Sequence, residues 1–91
     1  MSLHTKNGRP LQVSRDMVYS RSGKVVGRIK RDRVFGTDGR YVGTIESDRL
    51  VYRSPDSSLV ISGFSASNRS GSGLANVPAS GVWGDEPDIP D

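Results

Sequence analysis

The chain has 91 residues, of which 33% are hydrophobic, with a formal net charge of +3 and no Cys. That length holds one small domain and excludes a large enzyme core, and the missing Cys excludes disulfides, thiolate nucleophiles and Cys-based zinc sites. Leu, Ile, Val and Phe number 21, just above the roughly 20% below which disorder is expected, so the composition predicts one folded part and one unfolded part.

In chain order, the opening segment from Met1 to Gly8 has no apolar signal region. The longest aliphatic runs, such as Leu59-Val60-Ile61, are far too short to span a bilayer. A soluble, cytoplasmic protein is expected. A sixteen-residue internal repeat then governs the chain. Asp recurs at 16, 32 and 48, followed by Val18, Val34 and Leu50, then by Tyr19, Phe35 and Val51. Gly23 aligns with Gly39, Val26 with Val42, Gly27 with Gly43 and Ile29 with Ile45. A copy one residue shorter lies upstream, where Leu3, His4, Gly8 and Leu11 stand opposite Val18, Tyr19, Gly23 and Val26.

Each unit reads as a hairpin, because β-branched and aromatic runs flank a turn signal, clearest at Thr37-Asp38-Gly39-Arg40. Gly there supplies positive φ; Ser54-Pro55-Asp56 supplies the last reversal. Asp16, Asp32 and Asp48 fall at the reversals between units, where their side chains are expected to accept backbone N–H bonds. Gly27 and Gly43 sit in strands and are expected to relieve crowding if the units surround one axis. Four hairpins give eight short strands, and a unit this small must pack on its neighbours.

The motif from Asp32 to Ile45, Asp-Arg-Val-Phe-Gly-Thr-Asp-Gly-Arg-Tyr-Val-Gly-Thr-Ile, together with its repeats over about residues 2–61, resembles the bacterial four-fold β-flower proteins. The resemblance implies a shallow, radially symmetric arrangement of four β-hairpins and no established activity. The expected fold class is therefore all-β: four consecutive sixteen-residue hairpin repeats in a barrel-like arrangement, followed by a flexible C-terminal tail. Residues 1–61 form the repeat domain, 62–81 a Ser/Gly-rich linker, and 82–91 an acidic tail carrying the single Trp.

Charge divides in the same way, with a net +6 over residues 1–61 and −3 over residues 62–91. Arg21, Lys24, Arg28, Lys30, Arg31 and Arg33 against Asp32 give +5 in thirteen residues. With Arg40 they are the candidate polyanion-binding residues, able to release counterions from phosphates if they share a face, and Tyr19, Phe35, Tyr41 and Tyr52 are interleaved for either stacking or core packing. Trp83 and Ile89 are the candidate partner-docking residues. The acidic tail has two readings: it folds back and masks the basic body, or it serves as a motif for a partner or neighbouring subunit. His4 is expected to pack or face solvent, and no catalytic, cofactor-binding or metal-ligating residue is assigned. The leading expectation is a non-enzymatic β-repeat interaction module with an unknown protein partner, or self-association through its tail, and no small-molecule substrate or cofactor. The alternative is a polyanion-binding protein that uses its basic hairpin face on nucleic acid or an anionic membrane surface.

Overall fold

The structure, a computed structural model, describes residues 2–90. Seven strands alternate with tight reversals: β1 Leu3–Thr5, β2 Pro10–Ser14, β3 Met17–Tyr19, β4 Val25–Lys30, β5 Arg33–Phe35, β6 Tyr41–Glu46 and β7 Arg49–Val51. Each pairs antiparallel with the next, and β7 closes the barrel by lying parallel to β1, with His4 opposite Arg49 and Thr5 opposite Leu50. Parity forces this closure, since an up-and-down ring with an odd number of strands must contain one parallel pair.

The fourth hairpin expected from the repeat is only half formed, so eight predicted strands become seven. After β7 the chain enters a 3-10 turn over Ser54–Asp56, and Val60 makes only an isolated bridge to Arg40. Pro55 has no N–H for a ladder, and no side chain at Ser57 or Ser58 seeks the core. The turn instead lies on the outer face of β5 to β7. There the Arg53 N–H donates to Tyr41 Oη (3.1 Å), Tyr41 and Thr44 hydroxyls meet at 2.6 Å, and Thr44 Oγ1 donates to Asp56 Oδ2 (3.0 Å). Arg33 pairs with the other Asp56 oxygen at 3.5 Å.

Inside the barrel, strand alternation sends one residue of each unit to the axis. Leu3, Val18, Val34 and Leu50 occupy equivalent repeat positions and are each no more than 1% exposed; Leu11 and Val26 complete the buried cluster. Each such side chain contributes about 1.5–3 kcal/mol by leaving water. Gly27 pairs with Val18 and Gly43 with Val34, each beside a bulge. A Cβ on Gly27 would run into the Phe35 carbonyl oxygen of β5 and lie 2.9 Å from Val34 Cγ1, and one on Gly43 would lie 2.9 Å from Leu50 Cδ1. The expected axial crowding is real.

The three complete hairpin turns are copies of one another. Gly8, Gly23 and Gly39 sit at φ +95°, +96° and +82°, and their N–H groups donate to the carbonyls of Thr5, Ser20 and Gly36 at 2.8–3.0 Å. Thr5 Oγ1 accepts the Arg9 N–H and Ser20 Oγ the Lys24 N–H, both at 3.1 Å. Gly36 has no side chain for this bond, and Asp38 Oδ1 accepts the Arg40 N–H instead, at 3.0 Å.

Residues 62–81, expected as a flexible linker, are laid along this rim as part of a strap. Ile61, Arg69 and Val77 donate N–H bonds of 2.8–2.9 Å to the carbonyls of Gly39, Gly23 and Gly8. Phe64, Ser72 and Ser80 donate to Thr37, Arg21 and Lys6 at 2.7–2.9 Å. Asp85 then exchanges two 2.8 Å backbone bonds with Tyr52. Contacts thus recur every eight residues, at 61, 69, 77 and 85, half the barrel's period, and the strap visits each hairpin end in turn. The acidic segment follows the fold-back reading: Glu86 accepts from Thr5 Oγ1 and the Asn7 N–H, both at 2.9 Å, and Pro87 is fully buried.

Candidate functional site

The seven candidate polyanion contacts do not share one face. Arg21, Lys24 and Arg40 stand exposed at the hairpin rim beside the strap, whereas Lys30, Arg31 and Arg33 stand at the opposite, loop end. The six residues of β4 separate Lys24 from Lys30 and Arg31 by roughly 20 Å at about 3.3 Å per residue, and β5 and its turn stand between Arg33 and Arg40. Arg28 lies between them, pairing with Asp16 at 3.5 Å and covering the Phe64 ring at 4.4 Å. The run of positive charge in the sequence is therefore divided by strand geometry.

The loop end has its own chemistry. Its two-residue reversals hold Arg15, Arg31 and Ser47 at φ +57°, +60° and +57°. Each loop leans on the next strand through the backbone: Ile29 and Ile45 donate to the carbonyls of Asp16 and Asp32 at 2.6 Å, and His4 to that of Asp48 at 2.9 Å. The repeated Asp residues thus accept strand amides through their main-chain oxygens, not through their carboxylates as expected. Those carboxylates face Arg28, Arg33 and Arg49 at 3.4–3.6 Å. Because the Ile29 bond sets the Arg15-Asp16 loop against the end of β4, Arg15 is brought towards Lys30 and Arg31. All three are exposed, and among the described residues none forms an ion pair. Arg15 was missed from the sequence because it lies outside the dense basic run.

Beside this cluster, a groove of about 320 Å³ runs along β5. Lys30, Arg31, Arg33, Phe35, Leu59 and Val60 line it. Leu59 and Val60 are 38% and 69% exposed. The four interleaved aromatic side chains are packed away: Phe35 and Tyr41 are buried edge to face at 6.3 Å, Tyr52 tilts on Tyr41 at 5.6 Å, and the guanidinium of Arg69 covers Tyr19 at 5.2 Å. They stand as packing residues and not as an open stacking surface.

A larger pocket of about 460 Å³ opens between the strap and the second turn, near Arg9, Arg21, Asn76 and Ile89. Arg9 is already held there by Glu86 at 3.4 Å and by the carbonyls of Ile89 and Pro90 at 3.3–3.5 Å. Of the two docking candidates, Ile89 packs against the barrel core. Trp83 is 57% exposed, with the Arg53 guanidinium 4.2 Å from its ring and its carbonyl accepting from Arg53 Nε at 3.4 Å. His4 is half-buried in β1, opposite Pro10 and Arg49.

Among the described residues no helix is long and apolar enough to cross a membrane, and no three His, Asp or Glu side chains gather into a metal-holding set. Comparison with family models, curated proteins and solved structures gave no match to this chain.

Proposed function

We propose that the chain is a non-enzymatic β-barrel binding module that presents its loop end to an anionic partner. The observation that carries this reading is the gathering of Arg15, Lys30 and Arg31, exposed and without ion pairs, by the Ile29–Asp16 backbone bond. Neighbouring carboxylates do not cancel this charge, because Asp16 and Asp32 are engaged by Arg28 and Arg33. At the other rim part of the positive charge is already engaged by the chain itself, Arg9 by Glu86 and Lys6 by the Val82 carbonyl. Kinship with the four-fold β-flower proteins belongs to the same proposal, supported by the three Gly turns of like φ and backbone hydrogen bonding.

The test is binding to anionic polymers and surfaces across a salt series. Three neutralised phosphates correspond to a slope of about −3 in log affinity against log salt on duplex DNA. Replacing Arg15, Lys30 and Arg31 by Gln is expected to weaken binding by at least about tenfold and to flatten that slope. The same change at Arg21, Lys24 and Arg40 is expected to leave it within about twofold. Equal losses from both triples would show that only overall charge matters and would overturn the assignment to the loop end.

A further inference from the structure

We infer that the anionic partner is a bilayer surface containing acidic phospholipid, which Leu59 and Val60 enter while Lys30 and Arg31 hold its headgroups. This rests on the reading of the loop end above and adds to it a second, apolar half. Val60 is 69% exposed, yet its backbone is fixed by the bridge to Arg40 and by the 2.8 Å bond from the Ile61 N–H to Gly39. The fold thus holds an aliphatic side chain in water, at the hairpin-rim end of the same groove that Lys30 and Arg31 line at its loop end. Apolar surface held in this way, next to charge, is the mark of an interaction site.

The pairing of chemistries selects among anionic partners. A duplex offers a ridge of phosphates with no aliphatic layer beside it, and single strands are bound by aromatic stacking. Here Phe35 and Tyr41 are buried, Tyr19 lies under Arg69, and Trp83, exposed but with the Arg53 guanidinium over its ring at 4.2 Å, does not line the groove. A bilayer interface offers phosphate and acyl chain a few ångströms apart, and it rewards Lys or Arg next to inserted aliphatic residues. Arg33, held by Asp32 at 3.4 Å and Asp56 at 3.5 Å, sets the groove wall and ties it to the 3-10 turn that leads into Leu59. Lys30 and Arg31 are left to meet the headgroups.

The experiment compares the full chain with two double variants, Leu59→Ser with Val60→Ser and Lys30→Gln with Arg31→Gln. The probes are phosphatidylcholine vesicles with and without about one-third phosphatidylglycerol, and duplex DNA. Circular dichroism and thermal unfolding verify the fold of each variant. The expected result is binding to acidic vesicles only, reduced about tenfold or more by the Ser pair with its salt dependence unchanged, and reduced with a flattened salt dependence by the Gln pair. Acidic vesicles bound equally well by the Ser pair would overturn the lipid inference while leaving the cationic reading intact. Tighter binding to DNA than to vesicles, insensitive to the Ser pair, would replace the membrane with nucleic acid. Insensitivity to both pairs would sink the inference together with the reading on which it rests.

Discussion

At one rim the chain reverses through Gly8, Gly23 and Gly39, and at the other through Arg15, Arg31 and Ser47, all with positive φ. The backbone requirement is similar, so the difference in residue type reports what lies above each turn. A Cβ on Gly8, Gly23 or Gly39 would run into the carbonyl oxygens of Val77, Arg69 and Ile61. Glycine there serves the strap as much as the turn. Arg15, Arg31 and Ser47 at the loop end are exposed, so side chains are tolerated there at a conformational cost of about 1–2 kcal/mol, and two of the three are cations. One rim is built to be closed by the chain itself, and the other is left open with charge.

The largest effect is expected from Gly23→Ala. It combines the left-handed penalty of about 1–2 kcal/mol with displacement of the strap from the Arg69 and Ser72 bonds, worth about 0.5–1.5 kcal/mol each. A loss of about 3 kcal/mol in denaturant unfolding is expected, with faster hydrogen exchange at the amides of Arg69 and Ser72. Slow exchange at both amides in the variant would show that the strap is not seated on this turn.

A smaller effect separates the two ends of the strap. Thr5→Val removes an acceptor for the Arg9 N–H and the donor to Glu86 from a fully buried site, at an expected cost of about 2 kcal/mol. Ser20→Ala removes the equivalent turn bond to Lys24 and a contact with the neutral Ser22 hydroxyl at 3.2 Å in place of a carboxylate, and should cost about 1 kcal/mol. The difference measures how firmly the acidic segment is anchored. Equal costs would mean that Glu86 contributes nothing through Thr5.

These variants also mark the boundary of what the residue pattern conveys. The sixteen-residue repeat predicted the strands, the turn glycines and the axial role of Gly27 and Gly43, because side-chain periodicity and crowding leave a signature in residue type. The strap left almost none, since it is held mainly by backbone N–H groups, and Ser and Gly read as linker whenever small size is mistaken for freedom. Its one trace is an eight-residue echo, with Gly63, Gly71 and Ala79 in register and Asn68 and Asn76 likewise; Asn68 Oδ1 accepts the Val25 N–H at 3.0 Å. The candidate site was half legible. Lys30 and Arg31 stood out as charge, but their separation from Arg21, Lys24 and Arg40 follows from β4 being extended. The contribution of Arg15 follows from a backbone bond between units. The loss of the eighth strand traces to Pro55, which the sequence offered as a turn residue without showing that the ladder would end there.

The smallest effect, at Ser47, tests the comparison most directly when set beside the same substitution at Gly23, because a single residue type is predicted to act with opposite sign at the two rims. Asn tolerates the left-handed region better than Ser does without the unfolded-state entropy that Gly adds. Ser47 is exposed and takes no part in the cationic cluster, so Ser47→Asn should raise stability by about 0.5 kcal/mol and leave anion binding unchanged. At Gly23 the same side chain meets the strap carbonyls of Arg69 and Ser70, and Gly23→Asn should destabilise by more than about 2 kcal/mol despite Asn's tolerance of positive φ. If φ alone governed these positions, both substitutions would be nearly neutral. If the strap governs the hairpin rim, the two unfolding midpoints move apart. Only a large loss at Gly23 together with a gain at Ser47 keeps the contrast between a closed rim and an open one.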